Sequence, residues 1–141
     1  MRVLALDLGE RRIGMAISDE LGWGAHPLYT LERTTLRADL DKLAQIAERE
    51  GAAQVVVGLP LGPQGEVGTS AKKVERFVSR LRARLKIPVI TWDETLTSVE
   101  AEQQMIADDV SRAKRRRRLD QAAAALILQS YLERECKERR E

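Results

Sequence analysis

The sequence predicts one α/β domain, residues 1–141, built on a five-stranded mixed sheet flanked by helices on both faces. Three observations lead there. Three short apolar runs lie before Glu32, joined by links that suit an antiparallel meander. From Thr35 the hydrophobic period changes, and helix, strand, helix, strand and helix patterns follow in turn. The chain is 141 residues long and 43% hydrophobic, which is enough for one folded core and too apolar for disorder.

Val3 to Leu8 is an apolar run interrupted only by Asp7, and it reads as a buried strand. Gly9 to Arg12 turns the chain into a second strand, Ile13 to Ser18. A third strand, Trp23 to Leu31, is broken near Pro27. Leu36, Leu40, Leu43, Ala44 and Ala47 recur at helical spacing up to Glu50, and Gly51 closes that helix. Gln54 to Gly58 is a β-branched run, again a buried strand. Leu61 to Thr69 is a Gly/Pro-rich loop, too polar for either element. Ala71, Val74, Phe77, Val78, Leu81 and Leu85 mark a second amphipathic helix, and Pro88 to Trp92 a fifth strand. Thr97-Ser98-Val99-Glu100 has the form of a capping box that opens another helix. A basic run follows, and then an Ala-rich helix from about Leu119 to Glu135. Crossovers through the helices make the later strand pairings parallel.

Net charge is only +2, but it is unevenly spread. Residues 1–111 hold 14 bases and 17 acids, whereas 112–118 (RAKRRRR) hold six bases and no acid. Such a run is either a solvated surface or a nucleic-acid contact. Scarcity excludes other chemistry. Cys136 is the only cysteine, so no intrachain disulfide forms, and His26 is the only histidine. A cysteine–histidine zinc site cannot be assembled, and neither a Ser-His-Asp triad nor a Cys-His pair has an evident nucleophile beside that histidine. The longest apolar run, Ala122 to Leu128, is far short of a membrane span, and no signal peptide precedes the first strand. The expectation is a soluble, cytoplasmic protein whose chemistry runs on carboxylates.

Four acids are placed to act. Asp7 interrupts a strand whose two faces are both apolar, and an isolated buried carboxylate needs a cation, a metal or hydrogen bonds. Its simpler reading is an acid that hydrogen-bonds the following turn. Asp93 and Glu94 end the fifth strand, and alternation sends them to opposite faces, so one of them points with Asp7. Asp120 opens the last helix above Ala123, Ala124 and Ile127, whose small alanines allow a close approach to the sheet. An acid in a first helical turn is also favourable for electrostatic reasons alone. Together, two strand ends and a helix start supply converging carboxylates, at the end of an α/β sheet where sites gather. Such acids repel unless a cation lies between them. Mg²⁺ prefers oxygen ligands, and Mg²⁺ or Mn²⁺ could activate water for phosphodiester hydrolysis without histidine. Beside them, Arg115, Arg116, Arg117 and Arg118 would hold a phosphate backbone.

Asp7-Leu8-Gly9, Arg12-Ile13-Gly14-Met15-Ala16, Val57-Gly58-Leu59-Pro60, Asp93-Glu94 with Leu96-Thr97, and Asp120 with Ala122-Ala123 resemble the motifs of the YqgF/RuvX family, in family order over most of the chain. These are bacterial RNase H-like proteins related to the resolvase RuvC. The resemblance implies an RNase H-like fold and a cytoplasmic nuclease, described as processing the 5′ end of pre-16S ribosomal RNA and elsewhere as a Holliday junction resolvase. Carried over by position, the catalytic and metal-holding acids are Asp7, Glu94 and Asp120, with Asp93 a second choice for the middle ligand. The family usually has arginine after the acidic pair, and here it is Thr95. Its contact would then come from Arg12 or the 115–118 run. Asp-x-Gly also resembles the first phosphate motif of sugar kinases and actin-like ATPases, but those close two such domains on ATP. Gly9 and Gly14 do not make a dinucleotide fingerprint.

Three functions compete. The first is a metal-dependent endonuclease on ribosomal RNA precursor, and the second a resolvase of branched DNA, which needs a homodimer for paired cuts. The third is a non-catalytic nucleic-acid-binding module, salt-sensitive in binding and without turnover. No residue announces a contact to the 2′-hydroxyl that separates RNA from DNA.

Overall fold

The computed structural model describes residues 1–94 and 112–140, with side chains over 1–94 and 118–135. The capping box at 97–100 and Thr95 lie outside the described residues. Strands β1 (Arg2–Leu8), β2 (Arg12–Ser18) and β3 (Ala25–Glu32) form the antiparallel meander. Helix α1 (Leu36–Arg49) leads to β4 (Ala52–Leu59), and α2 (Thr69–Arg84) leads to β5 (Val89–Asp93). Helix α3 (Arg112–Arg140) follows. The sheet order is β3-β2-β1-β4-β5, with β4 parallel to both β1 and β5.

Period-two alternation divides the core into two layers. Leu4, Leu6, Ile13, Met15, Val55 and Val57 face α1 and α2, where they meet Leu43, Ala47, Val74, Phe77 and Leu81. Val3, Ala5, Ala16 and Val56 face α3, against Ala124, Ile127, Leu128 and Tyr131. On the α3 side the Trp92 ring meets Tyr131 edge-on, with centroids 5.4 Å apart, and its Nε1 donates to Ser130 Oγ at 3.1 Å. Thr35 caps α1 by accepting from the Ala38 amide at 3.1 Å, and Gly51, at φ 66°, takes the left-handed turn beyond its end.

Two of the boundaries that differ from the sequence reading have a plain physical reason. Strand β3 begins at Ala25, because Trp23 and Gly24 belong to a turn in which their amides donate to the Asp19 carboxylate at 2.9 and 3.1 Å. These donors, Trp23 first, hold the Asp19 carboxyl below its ordinary range. Pro27 sits where the β2–β3 register shifts, on an edge strand that tolerates its missing N–H. The second difference is larger. Helix α3 does not begin near Leu119 but runs back to Arg112, since lysine and arginine are good helix formers and no glycine or proline interrupts the run. Asp120 therefore lies about two turns inside the helix, and first-turn electrostatics do not account for it.

Candidate active site

β1 is the central strand, and alternation turns Asp7 to the same side as Val3 and Ala5, toward α3. Gly14 lies directly opposite Asp7 in β2. A Cβ at Gly14 would stand 2.8 Å from the Asp120 Cβ, and nearer still to the Asp120 carbonyl. The missing side chain is thus what lets α3 rest on the sheet at that residue. On the other flank, Gly58 follows Val57, the β4 partner of Leu6, and it pairs with Trp92 of β5. A Cβ there would stand 2.5 Å from Ile127 Cδ1 and would intrude on the Glu94 carboxylate. Two glycines across the sheet therefore clear the space around Asp7 that Asp120 and Glu94 occupy.

Within that space Glu94, not Asp93, is hydrogen-bonded to Asp7 through their side chains. Alternation along β5 explains the choice, since Ile90 and Trp92 face α3 and Glu94 continues their side, whereas Asp93 is exposed. Burial pushes the Glu94 carboxyl up to about 8, helped by the charge of Asp7, the hydrogen bond to it and the charge of Asp93. Burial also raises Asp7, opposed by the hydrogen bond from Glu94, and the charge of Asp120 adds to the rise. Two buried carboxyls in contact cannot both ionise. Glu94 keeps the proton and donates it to Asp7.

Asp120 is held differently. Its Oδ2 accepts from Arg12 Nε at 2.8 Å, so the first residue of β2 fixes an acid of α3. Arg12 was expected to contact substrate, and in this structure its guanidinium neutralises Asp120. Among the described residues no group of three or more His, Cys, Asp or Glu side chains is set to hold a metal ion. The donor chemistry still suits a hard dication, being all oxygen, and each acid already has a protic or cationic partner that such an ion would replace. Of the basic run, Arg118 is exposed on α3, and Arg115, Arg116 and Arg117 lie on the same helix, their side chains outside the described residues.

Sequence reasoning found the acids but not what makes room for them. Gly14 was read as part of a family motif and as a missing nucleotide-binding glycine, and its structural signal was a glycine facing, across a strand pair, an aspartate in an apolar strand.

A mixed sheet in this order, with acids at the ends of β1 and β5 and α3 laid over them, is the RNase H-like architecture. Thermus thermophilus RuvC, solved in complex with a Holliday junction substrate, shares the fold at a TM-score of 0.59 and 15% identity, covering 96% of each chain. The RuvX family model, described as Holliday junction resolvase, matches residues 1–134. The chain belongs to the RuvX family. A relative from Desulforudis audaxviator is 46% identical over 132 residues, 94% of either chain, and bears the name "Putative pre-16S rRNA nuclease". A Geobacillus kaustophilus relative of the same name is 47% identical over 135 residues, 94% of this chain and 98% of its own.

Proposed function

We propose that this chain is a divalent-metal-dependent nuclease that hydrolyses phosphodiester bonds in precursor 16S ribosomal RNA, and that one domain, residues 1–141, carries the activity. A cytoplasmic location goes with that substrate. The observation that carries the reading is the proton-sharing pair Asp7–Glu94 at the strand ends, with Asp120 close enough to raise Asp7 further. Full-length relatives named for this substrate support it.

Asp7 and Glu94 would hold the ion, with Asp120 as the third acid, and Mg²⁺ or Mn²⁺ suits two carboxylates completed by substrate phosphate and water. When bound, the ion supplies an activated water and charge stabilisation at the leaving oxygen. The chain's own residues do the rest. Glu94 would release to solvent water the proton it shares with Asp7, leaving both carboxylates as acceptors. Arg12 is positioned one salt bridge from the acids, where a phosphate oxygen can take the place of Asp120. Arg115 to Arg118 extend along α3 as contacts for the backbone.

The test uses the full chain with Asp7→Asn, Glu94→Gln and Asp120→Asn, given a precursor 16S RNA 5′ region and a DNA four-way junction with Mg²⁺ or Mn²⁺. Each variant should lose cleavage of the RNA while still folding and binding it. Undiminished cleavage by all three would sink the assignment. The family description favours a second reading, and faster cutting of the junction would hand the substrate to a resolvase acting as a dimer. Tight binding without any turnover by the wild type would make it a binding module.

A further inference from the structure

Helix α2 breaks two local rules at once. Between Thr69 and Arg84 it holds six bases against one acid, although residues 1–111 as a whole are net acidic. Lys72 stands in its first turn, where the helix dipole disfavours cations, and no acid shares that turn. Lys72, Arg76 and Arg80 then follow at four-residue spacing, where like charges lie side by side and repel. Arg84 continues the row but is relieved by Asp41 Oδ1 at 3.2 Å. Among the described residues neither Arg76 nor Arg80 has an ion-pair partner. Local rules that fail without internal compensation mark places kept for a ligand.

Arg76 and Arg80 of this row face a built groove. A cavity of about 470 Å³ lies between α2, the loop after β1 and the start of α1. Arg33, Lys73, Arg76 and Arg80 line it against the acids Glu10 and Glu94, over an apolar floor that includes Pro60 and Phe77. Lys73 Nζ is 4.0 Å from Glu10, and both are exposed. Arg33 is fixed in advance. Its Nη1 donates to the Gly9 carbonyl at 2.8 Å, its Nε lies 3.4 Å from Asp39, and its guanidinium covers the Phe77 ring at 5.4 Å. Glu94 borders the groove at one end and hydrogen-bonds Asp7 at the site, so the groove opens onto the acids. A second hollow, of about 560 Å³, shares Glu10, Arg33, Leu36 and Lys73 and carries the surface on past Arg11.

We propose that this groove is a second phosphate track, which brings the sugar–phosphate backbone of the substrate strand to the acids from the α2 side, opposite the arginines of α3. It rests on the nuclease reading. A polyanion fits better than an acidic protein segment, because a cationic row that ends on the carboxylate pair delivers a phosphodiester to it.

The experiment compares the wild type, R76Q/R80Q, and R84Q/K86Q, which makes the same charge change at the far end of α2. Anisotropy of a labelled single-stranded RNA and a labelled four-way junction is followed over a KCl series in chelator. R76Q/R80Q should lower the slope of log affinity against log salt by about 1.4 on the single strand and about 1.8 on the duplex arms, two phosphate contacts' worth. Cleavage with metal should show a raised KM and an unchanged kcat, the pattern of lost uniform binding. R84Q/K86Q should leave both unaltered. An unchanged slope in R76Q/R80Q, an equal loss in R84Q/K86Q, or a wild type that binds neither probe overturns the track. A wild type that cuts nothing, with the slope still lost in R76Q/R80Q, removes the nuclease reading and leaves the track standing.

Discussion

Gly14→Ala tests whether the approach of α3 to the sheet sets the site. The added Cβ would lie 2.8 Å from the Asp120 Cβ, where ordinary contact begins at 3.4 Å. Asp120 must therefore retreat by about 0.6 Å at that atom alone, and its carbonyl by more, which exceeds the ~0.5 Å tolerance of a preorganised constellation. The obstacle is helix backbone, so no side-chain rotation relieves it. Displacements approaching 1 Å cost roughly 100-fold in rate, and we expect kcat to fall about 10- to 100-fold. Overpacking of this kind costs about 1–3 kcal/mol, equivalent to a drop of roughly 3–15 °C in melting temperature. The assays are metal-dependent cleavage of precursor RNA and a thermal melt. Gly24→Ala serves as control, since a Cβ there meets its nearest neighbour at 3.5 Å. A Gly14→Ala protein with wild-type kcat and melting temperature would refute the idea that this glycine positions Asp120.

Two further outcomes follow from buried acids. Glu94 is raised from 4.5 to about 8 in the folded chain, so the native state holds a proton that the unfolded chain releases. Its stabilising share is complete below 4.5 and is lost as pH rises through about 8, so in chelator the melting temperature should fall across that window, and Glu94→Gln should flatten the fall. A melting temperature that rises over the same window would contradict the proton-sharing pair. Asp39 is 1% exposed and accepts from the Thr34 amide at 3.0 Å, with Arg33 Nε 3.4 Å away. Asp39→Ala should cost about 2–4 kcal/mol in urea unfolding, because it strands Arg33 and an amide; a loss under 1 kcal/mol would show the pair to be dispensable.

Much of the fold was legible because hydrophobic period is a local property. The apolar run broken only by Asp7 and the β-branched run at Val55 to Val57 announced their strands, and the Leu36 to Ala47 spacing announced α1. The start of α3 was not legible, since arginines signal solvation and helix equally. Strand-end position exposed the acids, and alternation rightly said that Asp93 and Glu94 part company. What stayed hidden was long-range. Arg12 and Asp120 meet across 108 residues, and Gly14 is informative only once its neighbour on α3 is known. The α2 groove hid for another reason: an amphipathic pattern reports that a face is polar, not that its charge has one sign.

The edge-on contact of Trp92 with Tyr131 has a practical side. The chain has two tryptophans, and Trp23 is 72% exposed in its turn. Trp92 instead lies two residues from Glu94, with its ring against α3. Indole emission shifts to shorter wavelength as its surroundings become less polar, so the two fluorophores differ in colour. One emits for bulk solvent and the other for the seam between β5 and α3. The molecule thus carries an optical gauge of its own cleft, which reads any shift of that helix against the strand without a label.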